Sequence, residues 1–168
     1  MAMFMFPILV LDSSSDWDII SAVLLFRSLN VEVKPHIASL KFEKRVKILK
    51  EIINFIESGG GYAICLYANL RQLVKFYKKK HSKQKAWSIA MREQLSRIKL
   101  HLDTKGFSYN SIYADTEFSF FENDLKTVFK TRKIYFGKTK YIIYADAIAY
   151  LNYKFPKLMR GKKNIKEF

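Results

Sequence analysis

Residues 19–26 read IISAVLLF and decide between two folds for this chain. The preceding residues 1–12, MAMFMFPILVLD, are apolar up to Asp12 and predict a buried first strand. If residues 19–26 were a helix, the chain would fold as a doubly wound parallel sheet. If they were a strand, they would turn back and pair antiparallel with the first one. Three of the eight residues are β-branched, which favours the strand.

The rest of the chain predicts a mixed α/β sheet. A third strand is predicted at Val31 to Ile37, followed by an amphipathic helix at 42–58 that ends at three glycines. Further strands are predicted at 62–67, 109–113 and 134–136, and helices at 71–102 with a break near His81, at 118–129 and at 143–155. Three antiparallel strands followed by alternating helices and strands are typical of an α/β protein with a mixed sheet flanked by helices.

Length and charge limit the classes of function. The 168 residues fit one domain, with 157–168 as a basic tail that is either disordered or a phosphate contact. The chain has 30 Lys and Arg against 15 Asp and Glu, a net charge of +15. Such an excess indicates an anionic partner, most often nucleic acid, with an anionic membrane surface as the alternative.

The lysines are concentrated in the segment 71–105, which has eleven basic and two acidic residues. Lysines neutralise phosphates, so this cluster is the predicted contact with a nucleic-acid backbone. Phe76 and Trp87 are eleven residues apart, a helical repeat, and we expect both in the core. The predicted nucleic-acid-binding residues are Lys78, Lys79, Lys80, Lys83 and Lys85.

Three aspartates directly follow apolar runs: Asp12, Asp115 and Asp146. An unpaired carboxylate is costly to bury, so such positions indicate a role other than packing. If the preceding segments are neighbours, the three carboxylates converge and would need a divalent cation such as Mg²⁺ between them. Two such cations could clamp the oxygens of a phosphodiester. The alternative is that each aspartate serves only its own turn.

The distribution of charge agrees with a cation site surrounded by basic residues. Residues 1–33 contain one basic and four acidic residues, whereas the excess of lysine and arginine lies in residues 34–168. Phosphodiester-cleaving sites have this layout, with carboxylates that hold cations and lysines that hold the polyanion. The alternative is that a buried first strand simply lacks lysines.

The end of the chain resembles a known family. Residues 144–150, YADAIAY, follow GKTK at 137–140 and resemble the closing motif of a widespread uncharacterised family, a domain of unknown function in the RNase H-like superfamily. Members of that family end in Leu-Ala-Asp-Leu-Ile-Ala. They begin with a strand that ends in Asp-Glu-Ser-Gly, where this chain has Asp12-Ser13-Ser14. The predicted elements between these ends, up to Asp115, follow in the family's order.

The resemblance implies an RNase H-like mixed sheet and a nuclease that uses Mg²⁺ or Mn²⁺. Asp12, Asp115 and Asp146 would be catalytic residues and metal ligands, with Glu117 as a fourth candidate ligand. Ser13 replaces the family's Glu and removes one ligand. The main alternative is therefore a catalytically inactive module that binds nucleic acid. A third hypothesis is a doubly wound domain that binds a nucleotide or phosphorylated ligand at residues 13–15.

The sequence also predicts a location. No apolar run approaches the ~18 residues needed to cross a bilayer. The first residues lack the basic start and the small-residue cleavage site of a secretory signal. We therefore expect a soluble, cytoplasmic protein that does not enter a membrane.

Overall fold

A six-stranded mixed sheet with helices on both faces organises the chain, as a computed structural model shows for residues 6–29, 36–137 and 140–168. The strands are β1 (Ile8–Ser13), β2 (Ile19–Leu25), β3 (Gly61–Tyr67), β4 (Ser111–Ala114), β5 (Ile134–Phe136) and β6 (Ile165–Glu167). The helices are α1 (Phe42–Phe55), α2 (Leu70–Tyr77), α3 (Lys83–Thr104), α4 (Glu122–Phe129) and α5 (Ile142–Lys154).

The segment that decides the fold is a strand. All seven residues of β2 are buried, and β2 pairs antiparallel with β1, with Asp12 opposite Ser21. The doubly wound alternative is therefore wrong, and so is a phosphate site that needs a helix directly after residues 13–15. A strand buries side chains on both faces when both faces are covered, which explains why β2 is apolar without a helical period.

The strands lie in the order β5-β4-β1-β2-β3-β6. The pairs β1–β2 and β2–β3 are antiparallel, whereas β1–β4, β4–β5 and β3–β6 are parallel. The strand predicted at Val31 to Ile37 falls largely on residues 30–35, outside the described residues, and Ile37 begins a short 3-10 turn. The third antiparallel strand of the sheet is β3.

Two hydrophobic clusters cover the two faces of the sheet. Helices α1 and α5 pack on the face that carries Val10, Val23 and Cys65. Helices α2, α3 and α4 pack on the opposite face, with Leu11 and Ile64. Because apolar helices lie on both faces, the central strands need near-continuous apolar sequence. The predicted α/β class, with a mixed sheet flanked by helices, is confirmed.

The helix boundaries follow local sequence signals. Helix α1 runs into a wide turn, Ile56–Gly60, where Gly59 has a φ of 95°, a left-handed conformation that glycine adopts without strain. The break predicted near His81 is present between α2 and α3. There the Ser82 hydroxyl caps α3 by accepting a hydrogen bond from the Lys85 N–H at 3.3 Å.

Polar contacts of Tyr144 and Asn152 help to attach α5 to its surroundings. The Tyr144 hydroxyl donates to the Leu29 carbonyl at 2.8 Å and accepts from the Leu29 N–H at 2.7 Å. The Asn152 amide donates to the buried Cys65 sulfur at 2.9 Å. These contacts fix α5 over β2 and β3, so the residues in its first turns have a defined position over the sheet.

The basic segment 157–168 packs against the edge of the sheet and contributes its last strand, β6. A 3-10 turn, Pro156–Met159, precedes β6, which pairs with β3. The Phe168 N–H donates to the Cys65 carbonyl at 2.9 Å, and the Tyr67 N–H donates to the Phe168 carbonyl at 3.0 Å.

Among the helices of the described residues, none has both the length and the apolar composition that a membrane crossing requires.

Candidate functional site

The predicted carboxylates meet where β1 and β4 end. Asp12 lies in β1, and Asp115 directly follows β4, the parallel neighbour of β1. The Asp115 N–H donates to the Leu11 carbonyl at 3.1 Å, which ties the two strand ends together. Asp12 shares its side of the pleat with Val10, which faces α5, and Asp146 lies in α5. The topology therefore brings Asp12, Asp115 and Asp146 to one place.

Buried Ser21 connects this place to α5. Its hydroxyl donates to the Ala145 carbonyl at 2.6 Å, one residue before Asp146. We expect Ser21→Ala to lower the free energy of unfolding by about 1–2 kcal/mol, because a buried acceptor loses its partner. Urea denaturation measures the change. The exposed Ser119 provides the control, since Ser119→Ala should change stability by less than about 0.5 kcal/mol. Equal effects of the two variants would contradict the contact's importance.

Asp12 is the most perturbed of these acids. Asp12 is only 6% exposed, and this burial raises the pKa of its carboxyl group well above the ordinary value. The negative charges of Asp146 and Asp115 raise that pKa further, and Glu117 adds a smaller effect. The Ser13 N–H, which donates to Asp12 Oδ1 at 2.8 Å, acts in the opposite direction. Protonation of Asp12 relieves the mutual repulsion.

Asp146 is perturbed in the same direction. Burial raises its pKa, and the charge of Asp115 contributes to the increase. The Ile37 N–H, which donates to Asp146 Oδ2 at 2.6 Å, and the nearby His36 lower it. Buried Asp12 and half-buried Asp146 therefore differ, because a histidine, His36, lowers the pKa of Asp146 and no basic side chain lowers that of Asp12.

Glu117 lies at the exposed side of the group. Its carboxylate accepts a hydrogen bond from the Ser13 hydroxyl at 3.4 Å, and its N–H donates to Asp115 Oδ1 at 3.3 Å. Asp115 thus caps the 3-10 turn Thr116–Phe121 that follows β4. Through these bonds the turn joins β1 and β4 and places Glu117 near Asp12 and Asp115.

The converging acids are not arranged as a metal-binding group in the part of the chain that the structure describes. Among the described residues, no group of three or more His, Cys, Asp or Glu side chains is placed to hold a metal ion. The interpretation of this chain as a metal-binding protein therefore lacks structural support. The individual roles predicted for Asp12, Asp115, Glu117 and Asp146, as catalytic residues or ligands of Mg²⁺ or Mn²⁺, stay predictions.

A cleft of about 820 Å³ opens on the opposite face of the sheet, between the start of α3 and the turn before α4. Its volume is typical of binding pockets. Polar and basic side chains alternate with aromatic ones around it. The lining residues are Trp17, Ser82, Lys83, Gln84, Lys85, Trp87, Ser88, Arg92, Phe120, Phe121, Asn123 and Asp124.

Trp17 reaches the cleft through an unusual backbone. Asp16 and Trp17 have φ values of 65° and 61°, a left-handed conformation that costs about 1–2 kcal/mol per residue outside glycine. The Trp17 ring packs edge-to-face against Phe118 at 5.0 Å and Phe121 at 5.4 Å between ring centroids. Asp16 pairs with Arg71 at 2.9 Å. These contacts offset the strain and hold the indole at the cleft.

The buried Asp124 is neutralised within the wall of the cleft. Its Oδ1 accepts hydrogen bonds from the Ser88 hydroxyl and from Arg92 Nε, the latter at 2.6 Å. Lys83 and Lys85 are exposed in the first turn of α3, where free backbone N–H groups add partial positive charge. The cleft therefore presents a positive rim.

The remaining predicted lysines precede the cleft in the chain. Lys78 directly follows α2, and Lys79 and Lys80 are exposed in the turn before Ser82. Phe76 is 63% exposed, so its predicted core position is wrong. Trp87 is half-buried and packs against the core of this face, in agreement with its predicted role.

The family described as Fas apoptotic inhibitory molecule (FAIM1) matches residues 39–136, more than half of the chain. The chain belongs to the FAIM1 family. The match begins just before α1 and ends with β5, and it contains every residue that lines the cleft except Trp17. A search of curated proteins finds no match.

Membership in the FAIM1 family overturns the resemblance to the RNase H-like family of unknown function. By residue, that resemblance depended on the two ends of the chain and on Asp115, whereas the FAIM1 match covers residues 39–136. Asp12 and Asp146 lie outside the match, and residues 138–139 of the closing motif lie outside the described residues. Short motifs of a few residues are weak evidence, because apolar segments followed by Asp recur in unrelated strands and turns.

The nuclease function is wrong for a FAIM1-family chain, and the geometry gives a physical reason. The predicted site required lysines around the carboxylates. Helices α2 and α3 cover the face opposite α5 and Asp146. Lys83 and Lys85 lie in α3, and Lys78–Lys80 lie in the turn between α2 and α3. Neither this arrangement nor the family match supports a nucleic-acid partner, so the inactive nucleic-acid-binding alternative is also unsupported.

Sequence reasoning missed the cleft. Its aromatic residues come from three separate segments, near Trp17, Trp87 and Phe120, and no spacing connects them. One signal was available, because both tryptophans of the chain lie in or beside polar segments, Ser13–Asp18 and Ser82–Ser88. Large aromatic residues in polar surroundings are frequent at binding surfaces.

Proposed function

We propose that this chain inhibits apoptosis triggered through Fas, as the description of its family says, and that it does so by binding a protein partner. The observation that carries the proposal is the FAIM1 match over residues 39–136, which contains the cleft except for Trp17. A concave surface with aromatic and polar groups supports binding more directly than the separate carboxylate group does.

The charge of the chain supports an acidic partner. The chain carries a net charge of +15, and Lys83 and Lys85 place part of the positive charge at the rim of the cleft. Complementary charge speeds the encounter of two proteins and disfavours partners of the wrong sign. An inhibitor that acts by capture would benefit from both effects.

The proposal predicts protection of cells. Cultured cells that express the full chain and are treated with a Fas-activating antibody should show a lower caspase-positive fraction than cells with an empty vector. Flow cytometry with a fluorescent caspase substrate measures this fraction. Reversing the cleft charges, Lys83→Glu with Lys85→Glu, should abolish protection, because the acidic partner is then repelled.

The matched control reverses two lysines outside the cleft lining, Lys78→Glu with Lys79→Glu. This variant has the same net charge as the cleft variant and should retain most of the protection. Immunoblotting confirms that all variants reach the same level. Equal cell death with the wild-type chain and with the empty vector would overturn the proposed function.

A further inference from the structure

The cleft exposes an aromatic residue to water. Phe120 is 88% exposed, although its neighbours Phe118 and Phe121 are buried. It lines the cleft together with Trp17, Trp87 and Phe121, and we call these three the apolar floor, since the Phe121 ring lies 5.4 Å from Trp17 and 6.3 Å from Trp87 between ring centroids. An exposed aromatic side chain beside an open apolar floor is typical of the anchor positions of a binding surface.

The strained backbone beneath the cleft points in the same direction. Asp16 and Trp17 are consecutive left-handed residues, and neither is glycine. Such strain is kept where the surrounding structure enforces it, and it concentrates at functional sites. Its effect here is to place the indole of Trp17 at the cleft, where it meets the ring of Phe121.

Charge selects the occupant. Lys83 and Lys85 are exposed at the rim, whereas the acid of the wall, Asp124, is paired with Ser88 and Arg92. The rim therefore attracts carboxylates, while the floor accepts an apolar side chain. An acidic peptide segment that carries one bulky apolar residue matches both features.

The ring geometry favours a peptide over a nucleic acid. Trp17 meets Phe121, which also lines the cleft, at an interplanar angle of 83°, so these two rings stand edge-to-face there. Bases stack on parallel, open ring faces.

We infer that the cleft binds an acidic segment of a partner protein and seats a bulky apolar side chain among Trp17, Trp87 and Phe120. Carboxylates on either side of that residue pair with Lys83 and Lys85. The inference deepens the proposed function and rests on it for the choice of a protein as partner.

Intrinsic fluorescence tests the inference directly, because the chain has two tryptophans and both line the cleft. The probe is a short synthetic peptide in which glutamates flank a phenylalanine–leucine pair. Titration into the full-length protein should shift the tryptophan emission in a saturable manner. A peptide with lysines in place of the glutamates, and one with alanines in place of the apolar pair, should each bind at least about tenfold more weakly.

A matched pair of variants locates the binding surface. Phe120→Ala should weaken the acidic peptide by about tenfold or more, because an exposed anchor is lost without a change in the core. Phe76→Ala removes another exposed phenylalanine, which lies outside the cleft lining, and should leave the affinity unchanged. Circular dichroism confirms that both variants fold.

Three outcomes would overturn the inference: no saturable shift at millimolar acidic peptide, equal effects of the two variants, or tighter binding of oligothymidylate than of the acidic peptide. Each differs from failure of the proposed function. Protection of cells without peptide binding would leave the function and remove the cleft as its site. Peptide binding without protection of cells would leave the cleft as a peptide-binding site and remove the proposed function.

Discussion

Replacing Phe118 by alanine is expected to lower the free energy of unfolding by about 3–5 kcal/mol. Phe118 is fully buried in the 3-10 turn Thr116–Phe121, and its ring supports Trp17 edge-to-face at 5.0 Å. The substitution removes this support and leaves a cavity below the strained residues Asp16 and Trp17. Equilibrium unfolding in urea, followed by tryptophan emission and circular dichroism, measures the loss.

Phe120, two residues further on, provides the control for Phe118. Its side chain is almost entirely in water, so Phe120→Ala should change the stability by no more than about 0.5 kcal/mol. In the Phe118→Ala variant we also expect the native emission to shift to longer wavelength, since Trp17 becomes more exposed. Similar stabilities of the two variants would contradict the placement of Phe118 under the cleft.

Replacing Asp12 by asparagine is expected to stabilise the protein at pH 7. Burial, followed by the charges of Asp146 and Asp115, raises the pKa of Asp12, so the ionised form opposes folding. Asparagine keeps an oxygen for the Ser13 N–H and removes the charge. We expect a gain on the order of 2 kcal/mol, which corresponds to a melting temperature roughly 4–8 °C higher for a chain of this size.

The sign of the pH dependence follows from linkage. Between the ordinary value of 3.8 and the raised pKa, folded Asp12 holds its proton while the unfolded chain has lost it. The wild-type protein therefore loses stability as the pH rises through this window, and the loss persists above it. The advantage of Asp12→Asn should be small near pH 4 and should grow with pH. Differential scanning calorimetry across this range records it.

Asp16 provides the matched control for Asp12. It is exposed and left-handed, a conformation that asparagine also tolerates, so Asp16→Asn removes only a surface ion pair worth at most about 1 kcal/mol. A lower melting temperature for Asp12→Asn than for wild type at pH 7 would contradict the prediction. It would mean that a bound cation compensates the carboxylate, as the predicted roles of these acids require.

The main features of the sheet could be predicted because burial on both faces leaves a clear signature. In residues 19–26, β-branched residues without a helical period identify a strand, and β2 confirms it. The glycines at 59–61 and the break near His81 gave helix ends within a few residues. The strand that pairs antiparallel with β2 on its other side could not be identified. An alternating segment at 31–37 and an apolar segment at 62–67 each predict a strand, and sequence alone does not say which of them pairs with β2.

The two candidate sites differ in how much local sequence reveals. Asp12 and Asp115 end parallel neighbouring strands, so their convergence follows from topology. The cleft depends on the left-handed turn at Asp16 and Trp17 and on which of three phenylalanines, at 118, 120 and 121, faces water. Both are results of tertiary packing, which no local period encodes. The aspartate positions were therefore informative about geometry and misleading about function.

The buried thiol of Cys65 can report local unfolding of this fold. Burial raises the pKa of this residue, the chain's single cysteine, to about 12. Because alkylating reagents attack the thiolate, they should modify the protein only when β3 separates from its neighbours. The alkylation rate as a function of reagent concentration would then give the free energy of separating β3 from its neighbours. The measurement uses the unmodified protein and needs neither denaturant nor an attached label.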